Sequence, residues 1–343
     1  MTEAQTPTLD VRNLRVSFRR RRRDPVFYAL DDVSLTVRPG RTTGLVGESG
    51  SGKSTLANAI LGLVPVDSGR IELLGRDITH LGSTERRRLG RTLQAVFQDP
   101  RGSLNPSYPV GRSLAEPLRA QGVRSREEIG NRTRTMLQDV NLDPAAASRY
   151  PRQFSGGQLQ RLSIARALMT SPQVVLCDEA VSALDLSVQA QILNLLADLQ
   201  AEHGVSYLFI SHDMSVVRHV CHDLTVLYRG QVMEAGPTHL VAHDSAHPYT
   251  RALLLAAPVA DPTVQEQRRL AAAAASRPTG SAPSAVSTGC PFAARCDFAV
   301  DLCRQTRPEL RPLPGGRVVA CHRYPEWQQE APPTLVPPAT TAA

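Results

Sequence analysis

The stretch that decides the fold is Gly47-Glu48-Ser49-Gly50-Ser51-Gly52-Lys53-Ser54, which fits the pattern G-x-x-x-x-G-K-[ST] in full. A glycine-rich turn that leads into a helix offers bare backbone N–H groups and the positive end of a helix dipole, which together suit phosphate oxygens. In this pattern the lysine contacts the β- and γ-phosphates and the serine hydroxyl binds Mg²⁺. Lys53 is also the only lysine of the sequence, which indicates a site where a planar guanidinium cannot replace a compact ammonium.

The residues on either side of this loop fit a strand, a turn and a helix. Residues 42–46 have the pattern of a short buried strand, and residues 55–61, beginning at Thr55, have that of an amphipathic helix. The alternative is that this run of glycine and serine arose by chance. A chance run would give no reason to expect a strand before it and a helix after it. The sequence therefore predicts an α/β fold with a nucleotide site.

Length and composition allow one large domain with an appendage, or two domains. The chain has 343 residues, 41% of them hydrophobic, which is ample for a core. It lacks an apolar run of eighteen residues and a charged-then-apolar start, so we expect a cytosolic protein that can still dock on a membrane protein. The net charge of +7 keeps nucleic acid and anionic lipid open as partners.

Two alternating segments precede the phosphate loop. Residues 9–18 and 28–37 are predicted strands, and the arginine run 19–23 between them is a solvated loop or an anionic contact. Phe18 stands where an aromatic ring can stack on adenine, although an aromatic residue at a strand end equally suits the core.

The chain changes character after the next predicted strands. Residues 69–75 and 93–100 have strand patterns, the second carrying Gln98 just before a proline. Residues 101–150 are rich in arginine, serine and helix formers. We therefore expect a helical subdomain, bounded at about 101–155, inserted into the α/β core.

A second anion-binding turn and a pair of carboxylates follow. Ser155-Gly156-Gly157-Gln158 opens a helix predicted over 159–169, by the same dipole argument as the first loop. A buried strand over 174–179 then ends in Asp178 and Glu179. An aspartate at a strand tip can hold Mg²⁺ through water, and the next carboxylate can orient or deprotonate a water that attacks a γ-phosphate.

The next predicted strand, over 206–210, delivers His212 at its carboxyl end. Open α/β sheets place ligand groups at that end of their strands. A lone histidine is more often structural, but at the tip of a buried strand in a phosphate-binding sheet we expect a functional one.

In this order the motifs resemble those of the ATP-binding subunit of an ABC transporter, over about residues 9–245. The resemblance implies the fold, a P-loop ABC-type nucleotide-binding domain with an inserted helical subdomain. It also implies site residues, as follows: for catalysis, Glu179, His212 and Gln98; for nucleotide, Gly47, Glu48, Ser49, Gly50, Ser51, Gly52, Lys53, Ser54, Thr55, Phe18 (with Tyr28 as its alternative), Ser155, Gly156, Gly157, Gln158 and Asp185; for Mg²⁺, Ser54, Gln98 and Asp178.

Two positions depart from the family pattern. Phe154 stands where leucine is usual, and Ala180 where proline commonly follows the Asp-Glu pair. Neither removes a group that touches phosphate or metal, so we expect a competent site. In this family two subunits close head to tail, which would bring residues 155–158 of one subunit to the γ-phosphate held by the other.

Two further segments resemble the oligopeptide and dipeptide importer branch, which also includes nickel and glutathione importers. They are residues 179–191 and 246–254. The branch implies an ATPase that powers peptide import at the cytoplasmic face of the membrane. Its implied partners are two transmembrane permease subunits bound through the helical insertion, a second ABC ATPase subunit in a heterodimer rather than a homodimer, and indirectly an extracytoplasmic peptide-binding protein.

The alternative from another class is a soluble ABC ATPase that acts on nucleic acid. The positive net charge and the arginine run suit it. The chain lacks a long coiled coil and a second ATPase copy, so we expect no nucleic-acid partner.

The carboxyl-terminal third divides by composition. After an ATPase domain over 1–245 we expect the importer-branch segment over 246–270, a flexible linker over 271–289, a four-cysteine region over 290–325 and a disordered tail over 326–343.

The four cysteines are Cys290, Cys296, Cys303 and Cys321, with five, six and seventeen residues between them. In a cytosolic chain such a group is more often a metal site than a disulfide set. The spacing of the cysteines does not discriminate between a zinc site and an iron–sulfur cluster. The importer branch carries four such cysteines on a [4Fe–4S] cluster, which the resemblance therefore implies; zinc or a metal-free state, with His322 involved, is the alternative.

Overall fold

The computed structural model of the chain describes residues 6–19, 26–257 and 288–331. Most of the arginine run, the linker up to residue 287 and the tail from residue 332 lie outside the described residues.

Twelve strands are present in the described part of the chain. They are β1 (Leu9–Phe18), β2 (Phe27–Val37), β3 (Thr42–Val46), β4 (Ser68–Leu73), β5 (Arg76–Asp77), β6 (Leu93–Val96), β7 (Val174–Asp178), β8 (Ser206–Ser211), β9 (Asp223–Tyr228), β10 (Gln231–Pro237), β11 (Arg311–Leu313) and β12 (Arg317–Val319).

The same residues contain eleven α-helices and three short 3-10 helices. The α-helices are α1 (Lys53–Leu61), α2 (Ser83–Leu89), α3 (Val110–Ala120), α4 (Arg126–Asp139), α5 (Gly156–Leu168), α6 (Leu186–His203), α7 (Met214–Val220), α8 (Thr238–His243), α9 (Pro248–Ala256), α10 (Asp301–Gln305) and α11 (Glu326–Glu330); the 3-10 helices are Pro144–Ser148, Pro151–Gln153 and Pro314–Gly316.

The main sheet has eight strands in the order β11-β12-β10-β9-β3-β8-β7-β6. Its five strands from β9 to β6 run parallel, whereas β10, β12 and β11 add to the β9 edge in antiparallel fashion. A second sheet, of order β2-β1-β4-β5, is antiparallel throughout. The strands that carry the predicted site, β3, β8 and β7, are therefore neighbours at the centre of the main sheet.

The central strands are buried on both faces. In β7, Val175 and Cys177 belong to one hydrophobic cluster, and Val174 and Leu176 to another on the opposite face. The first cluster includes the helices on the α5 side, and the second includes α1 and the antiparallel sheet. A parallel strand covered on both faces reads as a continuous apolar run, which is why the sequence predicts these strands well.

The helical insertion lies between β6 and β7. It holds α3, α4 and two of the 3-10 helices, and its apolar residues pack on α5 in the first cluster. The strand predicted over 93–100 ends at Val96, because β6 is the edge strand and its last partner is Cys177 on β7. Gln98 accordingly lies on an exposed segment beyond the sheet.

The carboxyl-terminal residues are docked on the main sheet. Strand β12 pairs with β10 through Glu234 with Val319 and Ala235 with Val318, and β11 pairs with β12. The prediction of a disordered tail beginning at residue 326 is wrong for its first turn. Helix α11 forms there because Trp327 is 1% exposed and its indole N–H donates to the carbonyl of Ala246 at 3.0 Å.

None of the helices within residues 6–19, 26–257 and 288–331 is both long and apolar enough to cross a membrane.

Candidate functional site

The predicted site residues meet at the carboxyl ends of three adjacent parallel strands. The phosphate loop follows β3, Asp178 and Glu179 end β7, and His212 follows β8. Because parallel strands end at the same edge of a sheet, groups that lie far apart in sequence face one cleft.

The phosphate loop wraps around its lysine. Lys53 is 5% exposed, and its ammonium donates to the carbonyls of Gly47 at 2.7 Å and Glu48 at 2.9 Å. The hydroxyl of Ser51 is buried and has no hydrogen-bond partner among the described residues. A buried, unpartnered donor beside a lysine held only by carbonyl groups suits an anionic ligand. Ser54, in the first turn of α1, is exposed.

Two glycines of the loop have no room for a side chain. A Cβ at Gly47 would lie 2.1 Å from the carbonyl oxygen of Leu227, and one at Gly52 would lie 2.5 Å from that of Ala29. Gly52 also has φ of 108°, which L-residues rarely adopt. The loop is therefore packed directly against β2 and β9.

The charges of the cleft influence one another. Burial lowers the pKa of Lys53, and the carboxylates of Glu179, Asp178 and Glu48 oppose that shift. Burial and the charge of Glu179 raise the pKa of Asp178, whereas Lys53 lowers it. Two carboxylates and an ammonium group that influence one another's pKa form a site that can bind a phosphate group together with a divalent cation.

Glu179 lies at the centre of a polar chain. Its backbone has φ of 49°, in the left-handed region, directly after the strand ends. Its carboxylate is 3.1 Å from Nδ1 of His212, and its carbonyl accepts a hydrogen bond from Ser182 at 3.0 Å. The amide of Gln98 donates to the Ser182 hydroxyl at 3.3 Å, so Gln98 is connected to the Glu179 turn through one side chain.

The turn predicted as a second anion-binding site, residues 155–158, is an exposed helix start whose first and last residues cap each other. Ser155 caps α5, accepting from the Gln158 N–H at 3.3 Å, while the Gln158 side chain accepts from the Ser155 N–H at 3.0 Å. Ser155 and Gly156 are exposed, and a Cβ at Gly157 would lie 2.5 Å from Val188 on α6. Among the described hydrogen bonds, none connects residues 155–158 with the phosphate loop.

Asp185 lies at the start of α6, next to that turn. Its carboxylate accepts from the Ser187 hydroxyl at 2.7 Å and from the Val188 N–H at 3.0 Å. The bond from Ser187, followed by the bond from Val188, lowers the pKa of Asp185. An ionised carboxylate at a helix start is an ordinary N-cap.

The two candidates for stacking on adenine lie on opposite faces of their sheet. Phe18 pairs with Phe27, and Tyr28 pairs with Ser17 in the neighbouring position. Because successive pairs alternate between faces, the rings of Phe18 and Tyr28 cannot share one ligand face. Both rings are more than two-fifths exposed.

The sequence reasoning missed two groups that hold the phosphate loop. The Tyr249 hydroxyl accepts from the Glu48 N–H at 2.8 Å, and the Arg295 guanidinium donates to both carboxylate oxygens of Glu48, at 2.7 and 2.8 Å. They lie 201 and 247 residues beyond Glu48. No local pattern predicts such contacts.

The four carboxyl-terminal cysteines line one small cavity, together with His247, His322 and Phe292. Burial raises the pKa of Cys290 and Cys321 to about 11 and that of Cys296 to about 12, and thiols of the same group contribute to each shift. Over residues 6–19, 26–257 and 288–331, no group of three or more His, Cys, Asp or Glu side chains is arranged to hold a metal ion. The thiols thus share a cavity but do not form a ready site for a single ion.

Two protein-family models match the chain. The model described as "ABC transporter" matches residues 30–182, and the one described as "Oligopeptide/dipeptide transporter, C-terminal region" matches residues 233–303. The first covers the phosphate loop and the β7 carboxylates, and the second covers three of the four cysteines.

The matches to related proteins extend over most of the chain. A probable peptide ABC transporter ATP-binding protein of Sinorhizobium fredii is 48% identical over 87% of this chain and 83% of its own length. The oligopeptide transport ATP-binding protein OppF of Salmonella typhimurium is 44% identical over 82% of this chain and 84% of its own length.

Solved structures agree with the fold. The cbiO1 subunit of Clostridium perfringens, part of an ABC transporter complex, has a TM-score of 0.62 with 26% identity over 69% of this chain and 91% of its own. An ATP-binding cassette in a dimeric post-hydrolysis state with ADP and Pi has a TM-score of 0.60 with 30% identity over 67% of this chain and 98% of its own. With this cleft and these relatives, the chain belongs to the ABC transporter family, as an ATP-binding protein that carries the carboxyl-terminal region of the oligopeptide and dipeptide transporters.

Proposed function

We propose that this chain is the ATP-binding and ATP-hydrolysing subunit of an importer of oligopeptides or dipeptides. The observation that carries the proposal is the convergence of the phosphate loop, the β7 carboxylates and His212 at one sheet edge. The peptide substrate is supported by the relatives, which are named as peptide and oligopeptide transport proteins, and by the oligopeptide/dipeptide transporter family that matches the carboxyl-terminal region.

Each group in the cleft has a proposed task. Lys53 and the backbone N–H groups at the start of α1, from Gly52 to Thr55, bind the β- and γ-phosphates, and Glu179 orients and deprotonates the attacking water. His212, 3.1 Å from the Glu179 carboxylate, holds that carboxylate in place. Mg²⁺ would be held by Ser54, Asp178 and Gln98 and would neutralise charge that develops on the phosphates.

The site is proposed to be completed by a second ATPase subunit. Ser155, Gly156, Gly157 and Gln158 are partly or fully exposed, and Asp185 lies at the start of α6, whose Val188 packs against Gly157. An exposed helix start with free N–H groups suits the γ-phosphate held by a partner. As in the resembled branch, we propose a related subunit rather than a second copy as that partner.

A groove on the helical insertion is the proposed contact with the membrane permease. It has a volume of about 560 Å³ and lies between the end of β6 and helices α3 and α5, with Phe97, Glu116 and Arg166 in its lining. Phe97 is 44% exposed and precedes Gln98, so a permease segment in the groove would reach the residue connected to Glu179. The chain would then act at the cytoplasmic face of the membrane.

The four cysteines are proposed to hold a [4Fe–4S] cluster, as in the resembled branch. In the described ranges the four thiols share one cavity, and no group of side chains there is already arranged around a metal ion. Thiols with a raised pKa are protonated at neutral pH, so metal binding must release protons and rearrange the cavity. Iron and sulfide analysis with a visible absorption band tests this; stoichiometric zinc without iron would overturn it.

The function is tested by isolating the chain from its own host. The tagged protein is recovered from gently solubilised membranes, and its partners are identified. Two multi-span permease subunits with a related ATPase are the expected result. Recovery with nucleic acid from the soluble fraction, lost steeply as salt is raised, would contradict the importer and favour the nucleic-acid alternative.

A further inference from the structure

The phosphate loop is held from outside by the cysteine region. Arg295 is the residue before Cys296, and its guanidinium meets the Glu48 carboxylate in a two-bond pair of 2.7 and 2.8 Å. Glu48 is the second residue of the phosphate loop. Paired bonds of this kind between a planar guanidinium and a carboxylate fix orientation as well as distance.

The Arg295–Glu48 pair packs beside a cluster of three aromatic rings. The rings of Tyr228, Tyr249 and Phe292 are 4.6 to 5.4 Å apart, and the Arg295 guanidinium lies 5.5 Å from the Phe292 ring and 5.8 Å from that of Tyr228. Tyr249 also accepts the backbone N–H of Glu48. The Glu48 side chain and backbone are thus both fixed, and the Phe292 and Tyr228 rings limit the movement of Arg295.

Arg295 is tied to the cysteines through its own turn. The Ala293 N–H donates to the Cys290 carbonyl at 3.0 Å, and the Arg295 N–H donates to the Phe292 carbonyl at 2.9 Å. The Cys290 N–H in turn donates to the Cys303 carbonyl at 2.7 Å. A change at the cysteine cavity that moved this turn would therefore move Arg295.

The charge of Glu48 is the reason that the pair matters to the nucleotide. Burial lowers the pKa of Lys53, and the Glu48 carboxylate is close enough to oppose that shift, while the Lys53 ammonium donates to the Glu48 carbonyl. An unpaired carboxylate at this place would repel phosphates and draw Lys53 toward itself. Among the described residues, Arg295 is the ion-pair partner of Glu48.

We propose that Arg295 is a positioning residue for nucleotide binding, which neutralises Glu48 and orients the phosphate loop, and so couples the cysteine region to the ATP site. The inference rests on the proposed binding of ATP at the phosphate loop. Coupling between two sites is reciprocal, so bound ATP also stabilises the turn between Cys290 and Cys296.

The test is a cycle of neutral substitutions in the full-length chain. ATP and ADP affinities are measured by competition against a fluorescent ATP analogue for Arg295→Gln, Glu48→Gln and the double variant. Arg295→Gln is expected to weaken ATP binding by about three- to tenfold, because it leaves an unneutralised carboxylate on the loop that binds the phosphates, in a partly solvated site. ADP, with less charge, should lose less affinity.

The direction in which the second substitution, Glu48→Gln, changes ATP affinity distinguishes the proposal from loss of structure. Adding Glu48→Gln to Arg295→Gln should restore ATP affinity, because the repelling carboxylate is gone. In steady-state hydrolysis, Arg295→Gln should raise KM while kcat is retained. Arg304→Gln is the matched control, because Arg304 lies in the same region but pairs with the exposed Asp301 at 3.2 Å.

Two results would overturn the proposal. One is an Arg295→Gln variant that binds ATP as tightly as the unaltered chain does. The other is a double variant that binds ATP as weakly as Arg295→Gln does. That result would mean that the Arg295–Glu48 pair only stabilises the structure. Failure of the unaltered chain to bind ATP would instead contradict the proposed function itself, so the two failures are distinguishable.

Discussion

The phosphate loop and the cysteine region are built in opposite ways. The loop is one stretch of eight residues whose lysine is held by two carbonyls five and six positions away. Within the described residues, the cysteine region meets the rest of the chain through distant contacts, among them β12 with β10, Trp327 with Ala246 and Arg295 with Glu48. The pattern of the phosphate loop lies in one stretch and can be recognised from sequence, whereas the contacts that hold the cysteine region join distant segments and cannot.

The two regions should therefore fail differently when they are altered. Substitutions in the cleft are expected to remove chemistry and leave the fold intact, because its charged groups lie at strand ends rather than in the core. Substitutions in the cysteine region are expected to remove stability first. The following predictions test this contrast, from the largest expected effect to the smallest.

Glu179→Gln should lower the ATP hydrolysis rate by about a hundredfold or more, the usual contribution of a general base. The amide keeps the size of the side chain but cannot take a proton, so ATP binding and the melting temperature should be retained. The measurement is phosphate release at saturating ATP, with size-exclusion chromatography to detect a dimer trapped with ATP. Glu202→Gln, at an exposed position of α6, is the control. Undiminished turnover would remove Glu179 from the proposed mechanism.

Trp327→Ala should destabilise the chain by about 3 to 5 kcal/mol, as expected for deletion of a buried aromatic side chain. Trp327 is 1% exposed, contacts the Phe298 ring and donates to Ala246. The free energy of unfolding is measured by urea titration. Leu302→Ala, in the same region but 49% exposed, should change it by less than about 0.5 kcal/mol. Equal effects of the two variants would contradict docking through α11.

Glu234 should make stability fall as pH rises. Burial raises its pKa to about 7 from 4.5, against the N–H groups of Ala246 and His247 and the charge of Arg317, which lower it. Between pH 4.5 and 7 the folded chain holds a proton that the unfolded chain has lost, so this stabilising contribution is full below pH 4.5 and disappears through pH 7. The total is on the order of 3 kcal/mol.

The variant Glu234→Gln removes this titration. Urea unfolding at pH 5 and pH 8 should show a smaller loss of stability with rising pH in the variant than in the unaltered chain. Glu309→Gln, at an exposed position, serves as the control. Parallel pH dependence of the variant and the unaltered chain would exclude Glu234 as the source.

Phe18→Ala should weaken ATP binding by about fivefold, the effect of losing one stacked aromatic ring at a partly exposed site. Tyr28→Ala should leave affinity unchanged, because the two rings lie on opposite sheet faces. Competition titrations with ATP and with inorganic triphosphate measure the difference, since only ATP carries the base. The reverse ranking of the two variants would assign the stacking role to Tyr28.

Much of the fold follows from local pattern. Strand β3 is predicted at its observed bounds, Thr42–Val46, and β7 and β8 within one residue, because buried parallel strands read as continuous apolar runs. The added strands β11 and β12 are three residues each, and their short sequences contain arginine and proline. Their pairing is fixed by the exposed edge of β10 rather than by their own propensity, so the sequence does not predict them.

The tail illustrates the same limit. Residues 326–343 are rich in proline, threonine and alanine, which predicts disorder, yet Trp327 finds a buried place against Ala246 and orders the first turn. A single tryptophan contributes enough apolar area to overcome an unfavourable composition, but only where another element provides a cavity for it.

The sequence by itself predicted the residues of the candidate nucleotide site, because the phosphate-loop pattern lies within one turn and the other predicted groups lie at the ends of apolar strands that can be recognised. Tertiary structure alone decided which of two exposed aromatic rings can face a given side, that four cysteines share a cavity, and that Arg295 meets Glu48 across 247 residues. The physical reason is that local spacing fixes the direction of neighbouring side chains, whereas a distant pair forms only where the packing of the whole sheet brings the two segments together.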